Sequence, residues 1–272
     1  PVSSHFRIAS DCLRRDKHVL VEKPLVSNSQ QGESLIEEAE KRGLVLMVGH
    51  TFEHNPAVEM LRELVLGGEL GDVYYVNATR VNLGIFRKDI NVMWDLASHD
   101  LSILLYTLGV CPDAVSAKGS AFVQPGIHDV AYLTLRFGHT MAHVHVSWLD
   151  PCKVRTVTIV GSKKMVVYDD VEPLEKIRIY DKGVVTPSSS SSFGDFQLSY
   201  RYGNISIPYI PVVEPLRVEC AHFVDCVLHG LSPKSSGRVG LRVVRILETA
   251  QKSLDNGGME EKIGWEQVPV FA

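Results

Sequence analysis

Three short stretches carry side chains whose types and spacing could do proton chemistry. The first is Val19-Leu20-Val21-Glu22-Lys23-Pro24, an apolar run ending in two opposite charges and a proline. Such a run reads as a buried strand, and in an open parallel sheet ligands bind beyond the carboxyl ends of the strands. Pro24 disfavours the α region for Lys23 and so holds it extended at that edge. A lysine fixed there can donate to a substrate oxygen, and partial burial lowers its pKa toward a useful range. The plainer alternative is a solvated Glu–Lys pair ahead of a helix. The second stretch runs from Asn91 to Asp100. Asp95 and His99 are four apart, which on a helix puts them on one face in adjacent turns. With Asp95 at the helix start, the dipole favours its carboxylate and disfavours imidazolium, so His99 is expected to be neutral and oriented by Asp95, ready to act as a base. The alternative is an N-cap aspartate and a surface histidine. The third is Gly49-His50-Thr51-Phe52 after another apolar run. His50 and Asn55 could line the same crevice, or simply turn the chain into the helix at Pro56.

The elements that must position these groups follow from periodicity. Helices are expected at Ser3–Arg15, from a Ser27-to-Gln30 capping box up to Gly43, and at Pro56–Leu66, with strands at His18–Val21 and Leu44–Val48 between them. This α-β-α-β-α order signals a doubly wound parallel sheet. After Gly71 the pattern changes. Val73–Val81 is strand-like and Asp95–Leu108 is a helix ended by Gly109. Six further strand candidates follow, at Ala114–Val123, Val130–Phe137, Met141–Leu149, Arg155–Val160, Lys164–Tyr168 and Lys176–Tyr180, which implies a large antiparallel sheet. Ser188–Ser192 reads as an exposed loop, and two helices, Pro215–His229 and Val239–Leu254, close the pattern.

Weaker candidates remain. His143 and His145 alternate on one face of a strand, but a metal needs more ligands than this pair, so no metal site is expected. Tyr200, Arg201 and Tyr202 sit in a Gly-flanked stretch read as a loop, where they could meet a polar or phosphorylated ligand or only solvent. No GxSxG, HExxH or Walker A pattern occurs.

Composition narrows the function classes. The 272 residues carry a net charge of −4, are 45 % hydrophobic and 22 % charged, and contain no apolar run near bilayer length. Neither nucleic acid nor a membrane is an expected partner. Five cysteines without a CxxC pair fit reduced thiols in a cytoplasmic protein.

Together, E-K-P after a buried strand, V-G-H at the next strand end and D-x-x-x-H-D on a later helix resemble the glucose–fructose oxidoreductase / inositol dehydrogenase (Gfo/Idh/MocA) family in order and interval. The resemblance implies an α/β plus α+β fold: a partial Rossmann domain lacking its first strands over residues 1–70, then a domain with a large, mostly antiparallel sheet over 71–272. It implies NAD or NADP as cofactor, with Glu22, Lys23, Pro24 and His5 on the cofactor side. Lys23, Asp95 and His99 match the family's catalytic residues, with either Lys23 or His99 as the base. Candidate substrate contacts are Lys23, His50, Asn55, Asn91, His99, Arg201 and Tyr202. W-D-L-x-x-H-D-L-S-I-L-L-Y and Tyr200-Arg201-Tyr202-Gly203 are similar to members that act on nucleotide-linked amino sugars, UDP-N-acetylglucosamine 3-dehydrogenases among them. Val92-Met93-Trp94 stand where inositol-type members often carry glycines, which argues against free inositol.

The expected activity is hydride transfer between nicotinamide and a ring carbinol carbon of a sugar or sugar nucleotide. Pro1-Val2-Ser3-Ser4-His5 matches a segment inside the family's first domain, and no GxGxxG occurs. The expectation is therefore an amino-terminally truncated chain that binds dinucleotide weakly as it stands. A rival reading is a non-catalytic fragment or oligomerisation module; a lyase or hydrolase using the cofactor transiently also fits the family. A large sheet with an apolar face leads to an expected homodimer or homotetramer.

Overall fold

Five elements in α-β-α-β-α order open the chain in the computed structural model, which describes residues 1–185 and 198–265. They are α1 (Val2–Leu13), β1 (Val19–Val21), α2 (Ser29–Lys41), β2 (Leu46–Val48) and α3 (Pro56–Leu66). β1 and β2 pair in parallel, Val19 opposite Leu46 and Val21 opposite Val48, so both carboxyl ends open on the same side. Ala9 and Leu13 of α1 and Leu35, Ile36 and Ala39 of α2 pack on these strands in one core. α2 starts one residue later than the expected capping box. Asn28, not Ser27, is the N-cap: its side-chain oxygen accepts the Gln31 N–H, while the Ser27 hydroxyl turns to the Gln31 side chain. At the far end Gly43 takes a positive φ of 63°, which suits the residue after a helix.

The second core lies under a nine-stranded sheet with order β10-β9-β8-β7-β3-β6-β5-β4-β11. Its strands are β3 (Val73–Val81), β4 (Ala114–Ser120), β5 (Val130–Phe137), β6 (Thr140–Ser147), β7 (Val154–Gly161), β8 (Met165–Asp169), β9 (Ile177–Val185), β10 (Ser199–Ser206) and β11 (Glu261–Lys262). Every pairing is antiparallel except β3 with β6. This is the small parallel sheet followed by a large, mostly antiparallel one that the sequence leads one to expect. Tyr200, Arg201 and Tyr202 lie in a strand, β10, rather than a loop. The expected loop at Ser188–Ser192 lies outside the described residues.

One face of the large sheet carries α3, α4 (Ser98–Leu108) and α6 (Gly237–Asp255); α5 (Pro215–His229) packs on the 3-10 turn Thr51–His54. α6 joins the two cores, with Val243, Ile246, Leu247 and Ala250 in one and Val244 in the other. Ser235, just before it, also holds the edge of β2: its hydroxyl donates to the Val48 carbonyl at 2.7 Å and its carbonyl accepts the Val48 N–H at 2.8 Å. All five cysteines are free. Among the described residues no helix is long and apolar enough to cross a membrane.

Candidate functional site

The carboxyl ends of β1 and β2 meet the segment that leads into α4. Lys23 reaches across 72 positions of sequence: its Nζ donates to the Asp95 backbone carbonyl at 2.6 Å and lies 3.5 Å from Asp95 Oδ1. Both side chains are only 14 % exposed, so this pair is largely withdrawn from water. Burial lowers the Lys23 pKa more than Asp95 restores it, leaving the ammonium below the ordinary lysine value.

Asp95 does not stand at the start of an α-helix. Residues Met93–Ala97 form a π turn that runs directly into α4. The Asn91 side-chain oxygen accepts the Trp94 N–H at 3.1 Å, and the Ser98 hydroxyl shares the Asp95 carbonyl with Lys23. Among the described residues no hydrogen bond joins the Asp95 carboxylate to the His99 ring, so the expected Asp95–His99 pairing does not form. The Asp95 carboxylate instead meets Lys23, Arg87 Nε at 3.5 Å and the Trp148 indole N–H at 3.1 Å. It orients the lysine, not the imidazole.

His99 is placed by rings. Phe52, in the 3-10 turn after β2, meets it edge-on with centroids 5.3 Å apart and planes at 71°. The Arg80 guanidinium lies 4.5 Å from the other ring's centroid, that of Phe52, and binds Asp100 through Nε at 2.8 Å and Nη2 at 3.0 Å. His99 Nδ1 is buried and has no hydrogen-bond partner among the described residues. Burial, followed by the charges of Lys23 and Arg80, holds its pKa well below 6.5, so the ring is neutral. The expected neutrality is present, but burial and cations cause it rather than a helix terminus. His50 is fully buried, neither ring nitrogen has a partner among the described residues, and burial beside Lys23 pushes its pKa down to about 3.

The other expected residues divide clearly. Glu22 is exposed at the strand end, and its carboxylate accepts the Lys23 backbone N–H at 3.2 Å. Pro24 is buried, its carbonyl accepting a ring N–H from His5 at 2.9 Å, so His5 supports this segment. Asn55 is committed elsewhere: its oxygen caps α3 at the Ala57 N–H, and its amide points to the Tyr168 hydroxyl at 3.4 Å. Asn91 spends its oxygen on Trp94 and its amide on Gln251 Oε1 at 2.9 Å. Arg201 binds Asp181 and the Lys163 carbonyl, at the opposite end of β7 and β8 from Arg155 and Asp170, and Tyr202 is 78 % exposed on the sheet's edge strand. The structure does not bring either to Lys23. It adds Arg87, Trp148, Phe52, Arg80 and Asp100. Arg80 left a trace in sequence, since Val76, Ala78 and Arg80 alternate onto the buried face of β3. Phe52 and Asp100 lie inside the Gly49–Phe52 and Asn91–Asp100 stretches, while Arg87 and Trp148 reach the site from separate elements and leave no local pattern.

Comparison with known proteins fits this geometry. Residues 1–50 match the model of an oxidoreductase family with an NAD-binding Rossmann fold, and residues 58–167 match the GFO/IDH/MocA C-terminal domain. UDP-N-acetylglucosamine 3-dehydrogenase of Acidithiobacillus ferrooxidans is 32 % identical over 191 residues, which are 68 % of this chain and 58 % of that protein's length. Myo-inositol 2-dehydrogenase of Thermotoga maritima is 25 % identical over 281 residues, covering 96 % of this chain and 78 % of its own. A solved structure of the Acidithiobacillus enzyme superposes with a TM-score of 0.78 at 23 % identity, over 94 % of this chain and 77 % of that one, and shows the same fold.

Proposed function

The chain belongs to the Gfo/Idh/MocA oxidoreductase family, and from that premise we propose that it serves NAD(P)-dependent hydride transfer at a carbinol carbon of a sugar, most specifically of a sugar nucleotide. One observation carries the reading: a lysine withdrawn from water and held by Asp95 stands at the carboxyl ends of two parallel strands, close to a neutral His99 with an unpartnered ring nitrogen. The residues present fit the nicotinamide end of the cofactor. The buried, unpartnered nitrogens of His50 and His99 call for a polar group from outside the chain, and Glu22 presents a carboxylate to solvent beside them. Glu22, Lys23 and Pro24, with His5 behind, would hold that end. When bound, the nicotinamide accepts or donates the hydride.

The chain's own residues manage the proton and the alignment. Lys23, with its lowered pKa, or His99, neutral at physiological pH, takes the hydroxyl proton on oxidation and returns it on reduction. Asp95 fixes the lysine through both its carbonyl and its carboxylate, while Trp148 and Arg87 fix Asp95. His50 lies buried beside Lys23 with both ring nitrogens unmet among the described residues. The nucleotide-sugar assignment draws its support from the UDP-N-acetylglucosamine 3-dehydrogenase relative. The five free thiols suit a cytoplasmic setting, and the open sheet face suits a homo-oligomer.

The test is an assay of the protein carrying this chain against nucleotide sugars and cyclitols, followed through nicotinamide absorbance. Lys23→Ala should lower kcat by about 10²–10⁴-fold, the usual contribution of a positioned acid–base group. Near-normal turnover in Lys23→Ala would sink the assigned role.

A further inference from the structure

His99 lacks what usually fixes a functional imidazole. Its buried Nδ1 has no hydrogen-bond partner among the described residues, so packing alone holds the ring. That packing closes a circuit. Asp100, the neighbour of His99 on α4, takes both arms of the Arg80 fork at 2.8 and 3.0 Å. Arg80, 3 % exposed on β3, lies 4.5 Å from the Phe52 ring centroid. Phe52 then returns to His99 at 5.3 Å. Three elements are tied together: α4, a strand of the large sheet, and the turn that follows the parallel pair. A planar, bidentate guanidinium has little freedom to turn, so the ring it stacks on is held as well.

We infer that Phe52, anchored by the Arg80–Asp100 ion pair, is the positioning residue of His99, an inference that rests on the hydride-transfer reading of the site. The circuit fixes the imidazole plane without spending either nitrogen. The same surroundings keep the ring uncharged. After burial, the groups acting on it are Lys23 from the end of β1, Arg80 from β3, His50 from the end of β2 and Arg155 from β7, and each disfavours imidazolium.

The experiment compares Phe52→Leu, Phe52→Tyr and Arg80→Lys in the protein carrying this chain. The His99 ring is followed by NMR, its signals assigned by their loss in His99→Asn. Phe52→Leu removes the aromatic contact with His99 together with the ring face under Arg80, and keeps an apolar side chain of similar size. It should shift the His99 ring resonances and lower kcat by about 10–100-fold, the scale of a small misplacement, with KM nearly unchanged. Phe52→Tyr should keep the wild-type behaviour. Arg80→Lys, which keeps the charge and loses the fork, should reproduce part of the Phe52→Leu shift. Wild-type His99 resonances and kcat in Phe52→Leu would overturn the inference. Absence of hydride transfer in the wild-type protein would overturn the functional reading, and the NMR comparison would still decide whether Phe52 positions His99.

Discussion

At the scale of single residues, the largest unmet demand belongs to His50. Its ring is wholly buried, both nitrogens lack partners among the described residues, and its pKa is pushed from 6.5 down to about 3. The unfolded chain titrates near 6.5, so between pH 6.5 and 3 it binds a proton that the folded chain refuses. Stability present above this window is lost as pH falls through it, at about 1.4 kcal/mol per pH unit for one proton. His54, pushed down to about 4, acts in the same direction. In urea titrations the unfolding free energy should fall below pH 6.5, and His50→Leu should remove roughly one proton from the slope. A slope unaltered by His50→Leu would show that this ring is not the group responsible. The sequence marked Lys23, His50, Asp95 and His99 because each ends or follows a legible element. It could not show that Asp95 serves the lysine rather than the histidine. That depends on donors from Lys23, Arg87 and Trp148, set by packing across the fold. Asparagines near a site also cap helices and turns, and here capping takes the oxygens of Asn55 and Asn91.

At the scale of elements, α6 tests how the two cores are joined. A Cβ placed on Gly240 would lie 2.6 Å from Val48 Cγ2 and 3.2 Å from Leu25 Cβ, so the helix runs against β2 at a distance only glycine permits. In an exposed helix Ala gains roughly 0.5–1 kcal/mol over Gly. Here overpacking against a β-branched strand residue costs about 1–3 kcal/mol, and the second effect wins. Gly240→Ala should therefore lower the urea midpoint, and an increase would show that β2 yields freely. The elements themselves were largely legible. Strands with one buried face announced themselves by alternation, β5 and β6 most clearly. β10 did not, because nearly all of its residues are exposed and no buried face imposes a period. It is a strand only because β9 supplies its partner. The misplaced cap of α2 has a similar lesson: Ser27 and Asn28 both qualify as caps, and only the entry path of the chain chooses between them.

At the scale of the molecule, the large sheet has its helices on one face and, among the described residues, none on the other. The open face mixes polar groups with rings. Tyr132 stacks on His145 at 4.3 Å and neighbours His143 at 6.0 Å, while Tyr75, opposite Met141 in the β3–β6 pairing, is 45 % exposed and Met141 is 54 % exposed. Alternation alone would explain a polar outer face on an antiparallel sheet. It does not explain exposed tyrosines and a methionine at the middle strands, where a second sheet would bury them most completely. A two-fold contact repeats each residue across the axis, so one substitution acts twice. A stable contact of this kind buries roughly 800 Å² per partner, an area nine strands can supply. The wild-type protein should scatter light as a dimer or tetramer at micromolar concentration. Met141→Asp, which sets carboxylates into that apolar contact without touching either core, should shift it toward monomer with its circular dichroism unchanged. A wild-type monomer would remove the case for sheet-to-sheet assembly and leave the exposed tyrosines as ordinary surface.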